Sequence, residues 1–192
     1  FKKYAYFPRW VSYWHQIDEI LKLNPESLLI IGAGDNYVAD ILKKYIKEVK
    51  TLDISKELNP DYVSSVEDMP ISDKVFDIVL CSQVLEHLPF DKFEACLKEI
   101  KRVAKSGAII SLPHFGPPIK FSVKLPFLKE IKFHFKLYFP FKHQFNGEHY
   151  WEIGKKGFAP GKIRKLILKF FTIKKEFIPF ENQYHHFYIL KI

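Results

Sequence analysis

The stretch SLLIIGAGDNYVADILKK (residues 27–44) sets the frame. SLLII is an apolar run short enough for a covered strand, and Val38, Ile41, Leu42 and Tyr45 then recur at helical spacing, predicting a helix over 37–45. Gly32-Ala33-Gly34 lies between them. A strand that turns on glycines into a helix opens a βα unit, and such a turn lets a ligand reach the backbone.

The same rhythm runs outward from that turn. VKTLDIS (49–55), DYVSSV (61–66), VFDIVLCS (75–82) and GAIISLP (107–113) read as strands. VFDIVLCS is almost wholly apolar, as a strand covered on both faces should be. A helix over 91–104 turns Phe93, Leu97, Ile100 and Ala104 inward. Ahead of the glycines, a helix over 10–23 places Trp10, Tyr13, Trp14, Ile17, Ile20 and Leu21 on one face, and Asn24-Pro25 ends it. After Pro113 the rhythm breaks, resuming with a helix over 160–171 that carries Ile163, Leu166, Ile167 and Phe170 on one face. FTIKKEFIPF and YHHFYILKI close the chain as strands, and the polar link Glu181-Asn182-Gln183 allows them to pair antiparallel. The expected fold is α/β: a Rossmann-like, doubly wound, mostly parallel seven-stranded sheet with a C-terminal antiparallel hairpin. Residues 1–192 are expected to form a single domain, with 114–150 inserted as a basic, aromatic, lid-like segment.

Bulk composition narrows the class. The chain has 192 residues, 47% of them hydrophobic and 27% charged, which suits one globular domain. A formal net charge of +8 favours phosphates, anionic lipid or an acidic substrate. Two cysteines, Cys81 and Cys96, imply no disulfide framework and fit a reducing cytoplasm. There is no apolar run long enough to span a bilayer, and the opening FKKYAYFPRW lacks the apolar core of a secretion signal.

Two cofactor classes compete for the glycine turn. A nicotinamide dinucleotide asks for G-x-G-x-x-G, but the third position is Tyr37, whose side chain would obstruct close packing of helix on strand. S-adenosylmethionine asks for a Cβ-free turn, free N–H groups at a helix start, and a carboxylate for its ribose after the next strand. Asp53 in TLDIS stands about twenty residues beyond the glycines, the spacing of a ribose-binding acid; the plainer reading is that it caps a turn.

LLIIGAGDN, then LDIS, then VEDMPISDKVFDIVLCSQVLEHLPFDKFEACLKEIKRVAKSGAIISLP resembles the class I S-adenosylmethionine-dependent methyltransferases, specifically the type 11 group. The resemblance covers about residues 27–113, and FDIVLCSQVLEHL is its strongest piece. It implies that Gly32 and Gly34 form the cofactor turn, Asp53 holds the ribose hydroxyls and Ile54 lies on the adenine face. It further implies that Ser65 and Val66 meet the adenine edge, Val66 through its backbone N–H, and that Cys81, Ser82 and Gln83 line the methionine end. The chain departs from the common pattern at Ile30, where an acid is usual, at Asn36, where a third glycine is common, and at Ser65, where Asp is frequent. Nearby Glu67 or Asp68 could stand in for that Asp.

Methyl transfer from a sulfonium is an in-line displacement that rests mainly on alignment, with a base needed only for a protonated nucleophile. His149 and His114 are the leading base candidates, ahead of His87, and each also reads as an ordinary loop residue. No spacing among Glu86-His87, His114, Glu148-His149 and His185-His186 points to zinc, so no metal is expected. From His114 to Gly147 there are six lysines and one acid, Glu130. Three readings of that stretch compete: a cap whose phenylalanines fill a satellite core, a lid over an apolar or anionic acceptor, and attachment to an anionic membrane. Nucleic-acid binding is weaker, since no known module is legible. Tyr13, Trp14 and His15 could close over the methionine end, although core packing is the plainer explanation for the two tryptophans. The reading that emerges is a methyltransferase acting on a small-molecule or lipid-like acceptor. Its rival is a non-catalytic protein of the same fold that binds a partner or membrane through the basic aromatic face. Neither the acceptor nor the oligomeric state is legible.

Overall fold

The computed structural model describes residues 6–139, 141–145 and 147–192. Part of the stretch read for a secretion signal, and two positions of the 114–150 insertion, lie outside the described residues. The chain runs α1 (Phe7–Leu23), β1 (Ser27–Ile31), α2 (Tyr37–Leu42), β2 (Glu48–Asp53), β3 (Tyr62–Val63), β4 (Phe76–Ser82), α3 (Phe93–Val103) and β5 (Ala104–Pro113). It continues with β6 (Pro118–Val123), β7 (Ile131–Lys136), α4 (Pro160–Leu168), β8 (Thr172–Phe177) and β9 (His185–Lys191).

A seven-stranded sheet takes the order β3-β2-β1-β4-β5-β9-β8. β1 through β5 pair in parallel, while β9 lies antiparallel to both β5 and β8. Both faces are covered, and the pleat sorts the strands accordingly. Leu29, Ile31, Val79 and Cys81 join Leu97, Ile100 and Ile167 on one face. Leu28, Ile30, Ile78 and Leu80 join Ile20, Val38 and Leu42 on the other. Because β1 leads outward to β2 and inward to β4, the strand order reverses between β1 and β4. A crevice opens at such a reversal, beyond the carboxyl ends of the strands.

Three elements differ from the sequence expectation. β3 shrinks to two residues at the sheet edge, where Thr51 N–H donates to Asp61 Oδ2 at 2.9 Å and takes up part of the pairing. α1 buries Ser12, Tyr13, Gln16, Glu19 and Ile20, a face rotated from the aromatic one. Ser12 and Glu19 are tolerated there because they are bonded: Asn182 donates to Ser12 Oγ at 2.8 Å, the same hydroxyl meets His185 Nδ1 at 2.7 Å, and Lys175 donates to Glu19 Oε1 at 2.5 Å. Trp14 is consequently 58% exposed, and neither it nor Trp10 is a core residue. The insertion forms an antiparallel hairpin, β6 with β7, whose Phe121, Phe127 and Phe133 are all exposed; they fill no satellite core. Among the described residues, no helix is long and apolar enough to cross a membrane.

Candidate functional site

β1 ends on Ile31, and Gly32 N–H donates to Leu52 O at 2.8 Å, holding the turn beside the end of β2. Gly32 and Gly34 have φ of +78° and +54°. A Cβ at Gly32 would lie 2.3 Å from Val84 Cγ2, so the turn needs glycine for both space and conformation. Asn36 takes the left-handed region next, at φ 60°, the residue type that tolerates it best after glycine. Tyr37 opens α2 and packs its ring on Trp10 with centroids 5.4 Å apart.

A cavity of about 300 Å³ opens over this turn. Gly32, Gly34, Asp53, Ile54, Ser65, Val66, Ser82 and Gln83 all line it. Thus eight of the nine sequence-predicted cofactor positions come together, although they are spread over 52 residues of chain. The ninth, Cys81, points into the core, and burial pushes its thiol well above the ordinary range. Asp53 Oδ1 accepts from Ser55 N–H at 2.9 Å. Ile54 lies on the rim, 76% exposed. Ser82 Oγ and Ser111 Oγ share a 2.7 Å hydrogen bond, and Gln83 Nε2 donates to Ser111 Oγ at 3.2 Å, fixing the end of β4 to β5. Of the stand-ins suggested for Ser65, Glu67 pairs with Lys92 at 3.3 Å, and neither it nor Asp68 lines the cavity.

Arg9 is a lining residue the sequence reading missed. It also borders a recess of about 50 Å³ with Tyr13, Asp35 and His185. Arg9 Nε donates to Tyr13 Oη, which donates to Asp35 Oδ2, both at 2.8 Å. This relay ties the start of α1 across the glycine turn. Only the rotation of α1 onto its polar face exposes that role, because the aromatic periodicity points the helix elsewhere.

The histidines separate. His114 is buried against His186, with Nδ1 atoms 3.0 Å apart, and burial with nearby Lys136 pushes its pKa down to about 3. It borders a different cavity, of about 590 Å³, between the β6–β7 hairpin and β8. His114 therefore does not reach the cofactor-side cavity. His149 Nδ1 meets Glu152 Oε1 at 3.1 Å, and this hydrogen bond raises its pKa. Tyr184 Oη donates to the same Oε1 at 2.8 Å. His87 lines the cofactor-side cavity, and its ring centroid lies 4.9 Å from that of His149. Glu86, the neighbour of His87 in the chain, is fully buried, and burial pushes its carboxyl pKa up to about 8.

Residues 29–112 match the methyltransferase-domain family. A protein from Pyrococcus horikoshii OT3 shares the fold at TM-score 0.65 and 15% identity, over 100% of this chain and 95% of its own. An S-adenosylmethionine-dependent methyltransferase from Clostridium acetobutylicum matches at TM-score 0.63 and 12% identity, over 100% of this chain and 94% of its own. One from Mesorhizobium loti matches at TM-score 0.62 and 12% identity, over 93% and 97%. No curated protein matches the chain in sequence. The resemblance drawn from the sequence is borne out: residues 29–112 carry the signature of the methyltransferase-domain family, on the Rossmann-like fold of its class I members.

Proposed function

We propose that the chain binds S-adenosylmethionine in the cavity over the glycine turn and transfers its methyl group to a small-molecule or lipid-like acceptor. The observation that carries this reading is the convergence of Gly32, Gly34 and Asp53 on one cavity at the reversal of strand order. The residues suit the cofactor's parts. Asp53 is the ribose acid, Ile54 and Val66 supply apolar surface for adenine, and Ser65 offers a hydroxyl at its edge. Ser82 and Gln83 serve the methionine end, and Arg9 gives a cation for its carboxylate. When bound, the cofactor supplies a methyl group on a sulfonium that leaves as a neutral thioether. The protein's part is to hold the acceptor in line with that group. His149 remains the base candidate, because Glu152 orients its ring and it packs on His87 of the cavity lining; His114, which borders the other cavity, is dropped. Two buried thiols fit a reducing compartment, in keeping with a cytoplasmic enzyme.

Titration calorimetry tests the reading. S-Adenosylmethionine and its demethylated product bind in the micromolar range and NAD does not. Arg9→Ala weakens both by about tenfold, the worth of one charge-assisted hydrogen bond. Heat with NAD alone overturns the assignment, and no heat with any of the three favours a non-catalytic partner-binding protein.

The hairpin supports a lipid-like acceptor at a membrane surface. Phe121, Phe127 and Phe133 are exposed beside Lys120, Lys124 and Lys132, the chemistry of apolar insertion with cations at the headgroups. Vesicles containing phosphatidylserine should co-sediment the protein, less so as salt rises. Phe121→Ser with Phe133→Ser should abolish that binding while leaving cofactor affinity unchanged. Equal binding to neutral vesicles at high salt removes the electrostatic part of the argument.

A further inference from the structure

We propose that Glu86, His87 and His149 form a binding site for a divalent transition-metal cation beside the cofactor-side cavity. One ligand atom from each of the three lies within 4.8 Å of the other two. Metal bonds of about 2.0–2.2 Å separate neighbouring ligand atoms by roughly 3–4 Å, so about half an ångström of side-chain movement closes the set. Two imidazoles and one carboxylate are the usual protein share of a site that keeps a position open, suited to Zn²⁺, Mn²⁺, Fe²⁺ or Co²⁺.

An independent observation points the same way. Glu86 is 0% exposed, and neither carboxyl oxygen has a hydrogen-bond partner among the described residues. A buried carboxyl left this way is costly, and a cation at its oxygens removes the cost. The surroundings are also those of a ligand set. His87 Nδ1 is 2.8 Å from Glu148 O, and His149 Nδ1 is 3.1 Å from Glu152 Oε1. Turning Nδ1 to a protein acceptor is how metal-site histidines are oriented to offer Nε2. The two loops are pinned together as well: Tyr150 N–H donates to Glu86 O at 2.8 Å, and Trp151 Nε1 donates to Leu88 O at 3.2 Å. The spacing of these residues in the chain gives no hint of the cluster, since His149 arrives from beyond the inserted hairpin.

His87 belongs both to the cluster and to the cavity lining. Resting on the methyltransferase reading, an ion here selects an acceptor that offers an oxygen donor, such as a hydroxyl. Glu152 is then a positioning residue, acting through His149, whose two ring nitrogens are both engaged, so that with the ion bound His149 serves as a ligand in place of the base role.

The test uses the full chain stripped of metal by a chelator, with no cofactor present. Titration with Co²⁺ is followed by its visible ligand-field absorption, and Zn²⁺ is used to displace it. The expected result is saturable binding of one equivalent with a nitrogen–oxygen spectrum. Glu152→Gln weakens it about 10–100-fold, the usual cost of losing an outer-shell partner, and Glu86→Gln, His87→Ala and His149→Ala each weaken it at least as much. His186→Ala, at the other histidine pair, leaves it unchanged. A parallel melting curve shows whether each variant folds, and Glu86→Gln, which keeps the side chain's shape, carries the test if a histidine variant does not. Absence of stoichiometric binding, or binding indifferent to all four substitutions, overturns the site. Calorimetry with S-adenosylmethionine on the same stripped protein separates the two readings: cofactor heat without metal binding sinks only the metal site, and metal binding without cofactor heat sinks only the methyltransferase reading.

Discussion

Replacing Asp53 with alanine lowers the affinity for S-adenosylmethionine by at least about 100-fold, measured by calorimetry against the unaltered chain. A hydrogen bond to a charged group contributes about 1.5–3 kcal/mol, and a carboxylate on a ribose diol makes two, so about 3 kcal/mol is a cautious sum. The fold survives, because Asp53 lies only partly buried at the end of β2 and forms no ion pair among the described residues. Among the described residues its carboxylate accepts one hydrogen bond, from Ser55 N–H, which is local to the turn. Asp53→Asn separates the contributions: it keeps an oxygen for Ser55 but loses the charge, and an intermediate loss of about tenfold is expected. A melting temperature unchanged in both variants, with affinity also unchanged, removes the ribose assignment.

Trp151→Ala produces the largest expected loss of stability, about 3–5 kcal/mol. Trp151 is fully buried, with its ring edge-on to Phe90 and Phe93 at centroid distances of 5.0 and 5.1 Å. Its Nε1 donates to Leu88 O, so truncation leaves both a cavity and an unpaired carbonyl. For a chain of this size the melting temperature should fall by roughly 10 °C. The consequence reaches the site, because the same residue anchors the loop that brings His149 and Glu152 back to the turn of Glu86 and His87. Denaturant unfolding measures the stability. A cost below about 1 kcal/mol would show that the loop packs independently of this ring.

The strand–glycine–helix order was legible because each unit carries its signal within a few residues. β1 was predicted to the residue, since Ser27 and four apolar positions bounded by Pro25 and Gly32 leave no other register. Asp53 was legible because a parallel sheet places the ends of β1 and β2 side by side, so spacing along the chain becomes proximity in space. The face of α1 was misread because hydrophobicity was the only guide. Ser12 is buried through partners, Asn182 and His185, that lie at the other end of the chain. His114 was misplaced for a related reason: β5 extends to Pro113 and pairs with β9, which turns the next residue toward His186 and away from the crevice.

The amino-acid order alone determined the α/β class, the seven strands of the main sheet and the glycine turn with its acid, all consequences of local periodicity and of how parallel strands must align. Tertiary structure decided which charged and titratable groups face that turn. Arg9 reaches it through the rotation of α1, and His149 meets Glu86 and His87 only after the chain has left and returned around an exposed hairpin. Periodicity records which face of an element is apolar; it carries no information about which distant polar atom will satisfy a buried one.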